Sequence, residues 1–339
     1  MTAVRIGMIG TDIMHAFEYA SIVNCESSDQ FPMMPMKPLD ARMEAHLATI
    51  RSQALAPEPP PITGADLKRD PAMREARVVC WWSEDRATAQ RHAARLGVPD
   101  VVSSLEDVFR RTDAVWICTK LASTHFPLAM AALQAGRHVF VDKPFTATAQ
   151  EARELLDLAE ARGLIVASAS PWRWAPALQA LKRDMPTLGA VRSVVCSAPA
   201  IDGAFYLTHS ADVVDELLGP GVVDVAVVHS ALHDTVVVDY PDGRRGLING
   251  MRDIGWVRHV AVFGERGYRE TEITNVHRDY GKVELVRRFV TAATHGQWPL
   301  TRRRLEDVMT IITEPPVQTA VADPTRRPSA AVAPGGELS

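Results

Sequence analysis

The sequence lacks the features that mark fibrous, membrane-spanning and nucleic-acid-binding proteins. Its 339 residues are 47% apolar and 23% charged, and the mean hydropathy is -0.05. These values are typical of soluble globular proteins rather than of collagen-like, disordered or membrane chains. Lysine and arginine number 37 against 41 aspartate and glutamate residues, which gives a net charge of -4. Because nucleic-acid-binding proteins need a basic surface, we expect neither a nucleic-acid nor a membrane partner.

Cysteine is also scarce, and its spacing argues against metal and disulfide sites. The four cysteines, Cys25, Cys80, Cys118 and Cys196, form no C-x-x-C pair. Two of them lie in apolar runs, where a reduced thiol packs as a small hydrophobic group. We therefore expect no zinc site, no other metal and no disulfide framework. The first residues lack the pattern of a secretory signal, so we expect a cytoplasmic protein.

Short apolar runs alternate with amphipathic stretches over the first half of the chain. At about 150 residues per domain, the length predicts two domains, of which this half would form one. The alternation is typical of β–α–β units, in which helices cover both faces of a parallel sheet. The predicted strands are 4–9, 77–82, 114–118, 138–141 and 164–168, and the predicted helices are 13–24, 86–96, 104–110, 127–135 and 149–162.

From residue 191 the pattern changes to short runs rich in valine and threonine. Their near-alternating spacing, with a turn signal at 240–243, favours an antiparallel sheet that follows the parallel one. The predicted strands are 191–197, 222–229, 235–240, 244–249, 257–263 and 268–273, with helices at 211–218, 282–294 and 302–313.

A segment of about fifty residues, 25–76, interrupts the first half where a β–α–β connection needs only a few residues. It includes a proline-rich stretch at 56–61. Loops of this length are usually functional or disordered. Two interpretations stay open: a surface excursion or partner contact, and a lid over a cofactor or substrate.

Residues 7–15, Gly-Met-Ile-Gly-Thr-Asp-Ile-Met-His, end the first predicted strand and open a helix. Backbone N–H groups and the helix dipole at such a turn can receive a pyrophosphate, although the turn can also be only a fold element. The G-x-G-x-x-G template counted from Gly10 would place its later glycines at Asp12 and His15. The Asp12 carboxylate would oppose a phosphate unless it turned away, for example to cap the helix. The predicted cofactor-binding residues of this turn are Gly10, Thr11, Asp12 and Ile13.

Ser83 and Glu84 follow the second predicted strand, where a carboxylate would bond the adenosine ribose of a dinucleotide. Glu84 would repel a 2′-phosphate, whereas Ser83 would tolerate one. The pair therefore favours NAD slightly over NADP as the cofactor. The next residue, Asp85, could equally belong to a solvated turn.

The strongest pattern is the stretch 135–144, Ala-Gly-Arg-His-Val-Phe-Val-Asp-Lys-Pro. It resembles the G-K-H-V-x-x-E-K-P signature of the glucose–fructose oxidoreductase, inositol dehydrogenase and rhizopine-catabolism family, written Gfo/Idh/MocA. Asp142 stands where that signature has glutamate, followed by Lys143 and Pro144. The resemblance implies a cis bond before Pro144.

Three further segments resemble the same family. Thr119, with His125 after it, is similar to the T-P-x-x-x-H loop, with Lys120 in place of proline and one extra residue. Arg173 and the proline three residues later resemble R-x-x-P. His209, with an aspartate three residues on and Leu-Leu-Gly at 217–219, resembles H-x-x-D…L-L-G. Together these matches extend from residue 4 to about residue 313.

The resemblance implies an α/β fold with two domains and a tail. Residues 1–170 would form a Rossmann-type dinucleotide-binding domain with the insertion at about 25–76. Residues 171–322 would form an α+β domain with a large open, mostly antiparallel sheet, through which copies would assemble as a homodimer or homotetramer. Residues 323–339 are rich in proline, alanine and glycine and are expected to be disordered.

The implied reaction is hydride transfer between NAD or NADP and a small hydroxylated substrate such as a sugar or polyol. Lys143 and His209 match the family's catalytic lysine and histidine. A lysine at the carboxyl edge of the sheet can stabilise a developing alkoxide, while an imidazole serves as acid or base. Each has a plainer interpretation, as a surface lysine beside a turn and as a core histidine. The remaining implied cofactor contacts are Thr119, Lys120, His125, Asp142, Lys143 and Arg173.

Four residues before His209, where the family pattern often carries aspartate, this chain has Phe205. The neighbouring Tyr206 is a third catalytic candidate because its phenol can donate a proton. Adjacent residues point about 100° apart on a helix, so Tyr206 cannot simply replace the aspartate. Three functions stay open: an oxidoreductase, which could act on an alcohol, imine or enone; an NAD-dependent lyase or glycosidase; and a non-catalytic cofactor-binding or regulatory subunit.

Overall fold

The computed structural model describes residues 3–24, 60, 62–200, 203–255, 257–313 and 317–318. At 205, 275–277 and 317–318 the description covers the backbone alone. Most of the expected insertion and the whole of the expected disordered tail therefore lie outside the described residues. Within the described ranges, no helix combines the length and apolar character needed to cross a membrane.

The first sheet is parallel throughout and has six strands in the order β3-β2-β1-β4-β5-β6. This order is that of a doubly wound dinucleotide-binding sheet, in which a crevice opens between the carboxyl ends of β1 and β4. Its strands are β1 Val4–Ile9, β2 Ala76–Trp82, β3 Asp100–Val101, β4 Ala114–Ile117, β5 His138–Val141 and β6 Val166–Ala167. Its helices are α1 Met14–Asn24, α2 Gly64–Arg69, α3 Pro71–Arg74, α4 Arg86–Arg95, α5 Leu105–Arg111, α6 Ala122–Gln134 and α7 Ala149–Arg162.

The second sheet is mostly antiparallel, as the resemblance implied, and it includes two parallel pairs. Its seven strands run in the order β12-β11-β7-β10-β9-β8-β13, with β7–β10 and β8–β13 parallel and the other pairs antiparallel. The strands are β7 Val191–Pro199, β8 Asp224–His229, β9 His233–Asp239, β10 Arg245–Met251, β11 His259–Gly264, β12 Gly267–Glu272 and β13 Val317–Gln318. The helices of this half are α8 Pro176–Asp184, α9 Ala204–Leu218, α10 Asn275–His295 and α11 Arg302–Thr313, with 3₁₀ turns at Pro171–Trp174 and Met185–Leu188.

The two faces of the second sheet differ in how they are covered. One face carries a fully buried transverse row, Val227, Val236, Ile248 and Cys196. Helix α9 packs on this face so closely that a Cβ at Gly246 would lie 2.5 Å from the Val214 side chain. The opposite face is partly exposed.

The structure differs from the sequence-based prediction mainly where a helix began earlier than its pattern suggested. Helix α6 begins at Ala122 rather than at the predicted residue 127, and Pro127 lies inside the helix. Helix α9 begins at Ala204 rather than at 211, and this places Tyr206 and His209 on a helix. The turns and helix between 171 and 190 were not predicted, since short 3₁₀ segments leave little periodic signal.

Helix α10 joins the two halves of the molecule. Lys282 on this helix donates a hydrogen bond to the Glu18 carboxylate of α1, at 2.5 Å between Nζ and Oε2, and both side chains are buried. One position earlier, a Cβ at Gly281 would lie 2.0 Å from the Pro171 carbonyl oxygen. The helix therefore reaches the 171–174 turn only because residue 281 has no side chain.

We expect Gly281→Ala to destabilise the protein by about 1–3 kcal/mol or more, because overpacking against backbone outweighs the gain in helix propensity. Urea unfolding measures the change. Thr291→Ala, on an exposed position of the same helix, should stay within about 0.5 kcal/mol of the wild type. Equal stability of Gly281→Ala and the wild type would show that the close contact is relieved without cost.

Candidate active site

The predicted cofactor residues lie in loops that follow adjacent strands of the first sheet. Gly10 follows β1, Ser83 follows β2, Thr119 follows β4 and Asp142 follows β5. Because the carboxyl ends of parallel strands share one edge of a sheet, these loops form one site at the switch point between β1 and β4.

Gly10 is the residue that brings the β1 and β4 loops together. Its φ is +97°, and a Cβ there would lie 2.6 Å from the Cys118 carbonyl oxygen. Its N–H donates to the Trp82 carbonyl at 2.9 Å, and its own carbonyl accepts from the Trp81 indole N–H at 2.9 Å. Only glycine fits this conformation and this approach.

The side chains beside Gly10 bind neighbouring loops. The hydroxyl oxygens of Thr11 and Ser83 lie 2.8 Å apart. The Asp12 carboxylate accepts the backbone N–H of Lys120 at 2.8 Å. Asp12 therefore connects the β1 and β4 loops. Within the described residues, its carboxylate does not cap helix α1.

Asp85 and Glu84 at the end of β2 have different roles. The Asp85 carboxylate caps α4 by accepting the N–H of Thr88 at 2.9 Å and its hydroxyl at 2.6 Å. These hydrogen bonds lower the pKa of Asp85. Glu84 is exposed beside Ser83, so its contact with an adenosine ribose stays a prediction.

His125 connects the loops after β4 and β5. The buried ring places Nδ1 2.7 Å from the Pro144 carbonyl oxygen and Nε2 3.0 Å from that of Thr119. The bond between Lys143 and Pro144 is cis, as the resemblance implied. The contact between His125 and the Pro144 carbonyl fixes the loop that carries Lys143. A direct contact between His125 and a cofactor stays a prediction.

Asp142 is fully buried and is bonded to a residue that the sequence analysis did not select. His15 Nδ1 lies 2.8 Å from the nearer carboxylate oxygen of Asp142, and the Tyr19 hydroxyl donates to the carboxylate at 3.4 Å. Burial acts to raise the pKa of Asp142, but the charge and hydrogen bond of His15, together with the charges of Lys143 and His125, lower the pKa below its usual value. His15 stands at the last glycine position of the template, so the two departures from the family's patterns contact each other.

His209 lies in a cluster of aromatic and polar side chains. Its Nδ1 is 2.5 Å from the Ser170 hydroxyl oxygen, and its ring stacks on Trp172 with centroids 4.5 Å apart. The Tyr206 ring lies 5.8 Å from that of His209, and Lys143 Nζ lies 5.9 Å from the Tyr206 ring. The three predicted catalytic residues therefore come together, and Lys143 is buried rather than a surface lysine.

Arg173 holds the helix that carries His209. Its buried guanidinium pairs with carboxylates on successive turns of α9, namely with Asp212, with Asp215 at 2.7 Å and with Glu216 at 3.0 Å. Asp212 also accepts the Ser170 N–H at 2.6 Å. Through these contacts Arg173 positions helix α9. Its predicted contact with a cofactor stays a prediction.

The surroundings of His209 favour its neutral form. Burial lowers the pKa of His209 well below its usual range, and the positive charges of Lys143, His15, Arg258 and Arg278 lower it further. The tautomer that donates from Nδ1 to Ser170 leaves a lone pair on Nε2. In that state the ring can accept a proton from a substrate hydroxyl.

Two other sequence-based expectations concern position 205 and metal binding. The Phe205 side chain lies outside the described residues, although its backbone belongs to α9. Across the ranges that the structure describes, no group of three or more His, Cys, Asp or Glu side chains could hold a metal ion. Ser170, Trp172 and His15 were missed because their function depends on contacts distant in sequence.

Residues 66–170 match the family model described as "Oxidoreductase family, NAD-binding Rossmann fold". The uncharacterized oxidoreductase YdgJ of Escherichia coli (strain K12) is 57% identical over 51 residues, 15% of each chain. UDP-N-acetylglucosamine 3-dehydrogenase of Acidithiobacillus ferrooxidans is 40% identical over 80 residues, 24% of this chain and 25% of that protein. The chain thus matches a quarter or less of the length of these two relatives.

The fold of nearly the whole chain is similar to solved structures. The structure of GenD2 from gentamicin A biosynthesis, in complex with NAD, superposes with a TM-score of 0.68 at 20% identity and covers 92% of both chains. This likeness extends from the Rossmann sheet into the second sheet.

We expect the free energy of unfolding to decrease as the pH is lowered from about 6.5, and we expect His209 to contribute to that decrease. An unfolded histidine titrates near about 6.5, and native His209 titrates lower. Between these pH values the unfolded state binds more protons, so the free energy of unfolding decreases as pH falls and is unaffected by this group above that range.

Urea unfolding at several pH values between about 5 and 8 tests this expectation. His209→Asn should lose less stability on acidification than the wild type. His295→Asn, at an exposed position, is the matched control and should follow the wild type. Parallel curves for His209→Asn and the wild type would contradict the assignment.

Proposed function

We propose that the protein transfers hydride between NAD or NADP and a small hydroxylated substrate, because residues 66–170 match the Gfo/Idh/MocA oxidoreductase family model. The observation that carries this proposal is that Lys143 lies near Tyr206 and His209, although it is distant from both in the sequence. The relative that acts on UDP-N-acetylglucosamine supports a sugar, polyol or related compound.

In the direction of oxidation, a bound nicotinamide would supply the acceptor for the hydride that the substrate carbon loses as the carbinol becomes a carbonyl. The protein's own residues would remove the hydroxyl proton. Neutral His209 accepts the proton at Nε2, with its ring held by Ser170 and Trp172. Lys143 stabilises the negative charge that develops on the substrate oxygen. The Tyr206 ring lies 5.9 Å from Lys143 Nζ and 5.8 Å from the His209 ring, and its phenol can donate a proton.

The residues at the sheet edge fit a dinucleotide. The Gly10 turn and the start of α1 supply backbone N–H groups for a pyrophosphate. The Asp12 carboxylate, which would repel that group, is held by the Lys120 N–H. Exposed Glu84 beside Ser83 supports NAD over NADP. The other proposed contacts are Thr11, Ile13, Thr119, Lys120, His125, Asp142, Lys143 and Arg173.

Titration of the purified protein with NADH and with NADPH, followed by nicotinamide fluorescence, separates the enzyme from a protein that no longer binds a cofactor. Binding without turnover of any hydroxylated substrate would favour the regulatory subunit. Release of a leaving group with no net change in NADH would favour the lyase or glycosidase.

We expect Lys143→Met to lower kcat by about 100-fold or more, because a developing alkoxide loses its positive partner. Steady-state kinetics at saturating cofactor measure the change. Lys68→Met, at an exposed position of α2, should keep the wild-type kcat. An unchanged kcat in Lys143→Met would remove Lys143 from the mechanism.

We also propose that copies associate as a homodimer or homotetramer through the open face of the second sheet, in the cytoplasm. A row of half-buried apolar residues, Ala226, Val237, Leu247 and Val195, crosses that face in register. The cysteines in the described part of the chain are buried free thiols. Free thiols are typical of proteins in a reducing compartment such as the cytoplasm.

Analytical ultracentrifugation tests the assembly. Leu247→Glu should shift the wild-type oligomer to monomer, because it buries a charge in the interface. Asp242→Lys, at an exposed turn, should leave the oligomer intact. A monomeric wild type would refute this interface.

A further inference from the structure

A cavity of about 350 Å³ lies between the start of helix α9 and the covered face of the second sheet. Its lining residues in the described part of the chain come from the ends of β7, β8 and β10, the start of β9 and helices α9 and α11. Pockets that bind small molecules have volumes from about 300 Å³ upward. The cavity is therefore large enough for a small organic group.

The interior of the cavity is apolar. On the side of the sheet it is lined by Val227, Val236 and Ile248, which are at most 3% exposed. Leu207 of helix α9 and Ile312 of helix α11 line it from the opposite side. Such an interior binds an apolar group by removing it from water.

Polar side chains lie at one end of the cavity. His229 Nδ1 is 2.7 Å from one carboxylate oxygen of Asp234, and the Arg252 guanidinium donates a hydrogen bond to the other oxygen. The side chains of His229 and Arg252 are each 40% exposed, so the cavity reaches solvent here. The Asp234 carboxylate has a basic partner at each oxygen, and this end presents no unpaired acid to a ligand.

Tyr206 borders both the cavity and the catalytic candidates. It lines the cavity, and its ring lies 5.9 Å from Lys143 Nζ and 5.8 Å from the His209 ring. The next residue after His209, Ser210, also lines the cavity. Because successive residues of a helix point about 100° apart, the cavity and His209 lie on neighbouring sides of the same turn of α9. A substrate held at Lys143 and His209 is therefore within reach of the cavity.

We propose that this cavity receives an apolar group of the substrate, either an aromatic ring or a short alkyl chain, while the reacting hydroxyl lies at Lys143 and His209. The inference rests on the proposed function and narrows its substrate class to hydroxylated compounds with an apolar substituent, such as aryl or alkyl glycosides. The small volume and the enclosing helix suit a substituent of this kind.

Gly250 leaves part of the space in the cavity. It lies on β10 two residues after Ile248, so the two positions face helix α9 together. A Cβ at Gly250 would lie 3.3 Å from the Ala200 Cβ and 3.4 Å from the Asp234 carbonyl oxygen. These contacts are close but need only a small shift of the neighbours. We therefore expect Gly250→Val to fold and to fill part of the cavity.

Matched glycosides test the substrate class on the wild-type protein. Methyl, butyl and phenyl β-D-glucosides are compared with one another, as are the corresponding β-D-galactosides, each with NAD and with NADP. The butyl or the phenyl compound should exceed the methyl compound by about 10-fold or more in kcat/KM, because burial of the larger apolar group strengthens binding. The alkyl and aryl arms identify which group the cavity accepts. Equal or lower values for both larger compounds would overturn the inference.

Substitutions test the residues. Gly250→Val and Ala204→Leu, which fill the cavity from the sheet and from the helix, should each lower kcat/KM for the preferred glycoside by about 10-fold and leave the methyl glycoside within about 2-fold. Thr235→Ile lies between two lining residues of β9 but on the opposite face of the sheet, and it should behave as the wild type. A uniform loss for large and small glycosides would show a structural effect and overturn the assignment.

Calorimetric titration with the methyl and phenyl glycosides at several temperatures, with and without NADH, keeps the inference separate from the proposed function. Burial of an apolar group makes the heat capacity change of binding more negative. A more negative value for the phenyl compound that Gly250→Val abolishes supports the cavity even when no turnover is seen or NADH does not bind.

Binding of NADH together with equal heat capacity changes for the two glycosides refutes the cavity and leaves the oxidoreductase intact. Absence of binding by every butyl and phenyl compound also refutes it. If Gly250→Val does not fold, the wild-type comparisons and Ala204→Leu decide.

Discussion

The geometry of the candidate site depends on the buried guanidinium of Arg173. It pairs with three carboxylates on successive turns of helix α9, and one of these, Asp212, also accepts the N–H of Ser170. The 171–174 turn and the helix that carries His209 are thereby fixed to each other. Removal of one partner from such a network would leave buried charges uncompensated, which is strongly destabilising. The Ser170 and Trp172 contacts of His209 follow from it.

A second set of contacts fixes the loops of the first sheet. Gly10 allows the β1 loop to approach β4, Asp12 accepts the backbone N–H of Lys120, and His125 connects the β4 loop to Pro144. The loop that carries Lys143 is thus held to the β4 loop through the contact between His125 and Pro144. The two halves of the site meet because helix α10 contacts α1 through Lys282 and the 171–174 turn at Gly281.

Two residues that depart from the motifs this chain resembles contact each other. Histidine replaces the last glycine of the cofactor turn, aspartate replaces the signature glutamate, and the two side chains are bonded to each other. Burial and the positive charges of neighbouring basic groups lower the pKa of His209 well below its usual range.

The sequence by itself determined the parallel sheet and the positions of most strands, and it was enough to select Lys143 and His209 as candidate catalytic residues. Alternating apolar runs and a local signature are sufficient for these, because periodicity and turn chemistry act between residues close in the chain. It did not determine the mixed direction of the second sheet, the early start of helix α9 or the contacts of His15 and Ser170. Only the tertiary structure decided these, since strand direction depends on pairing between distant segments, and the surroundings of a buried imidazole or carboxylate come from elements that the sequence separates.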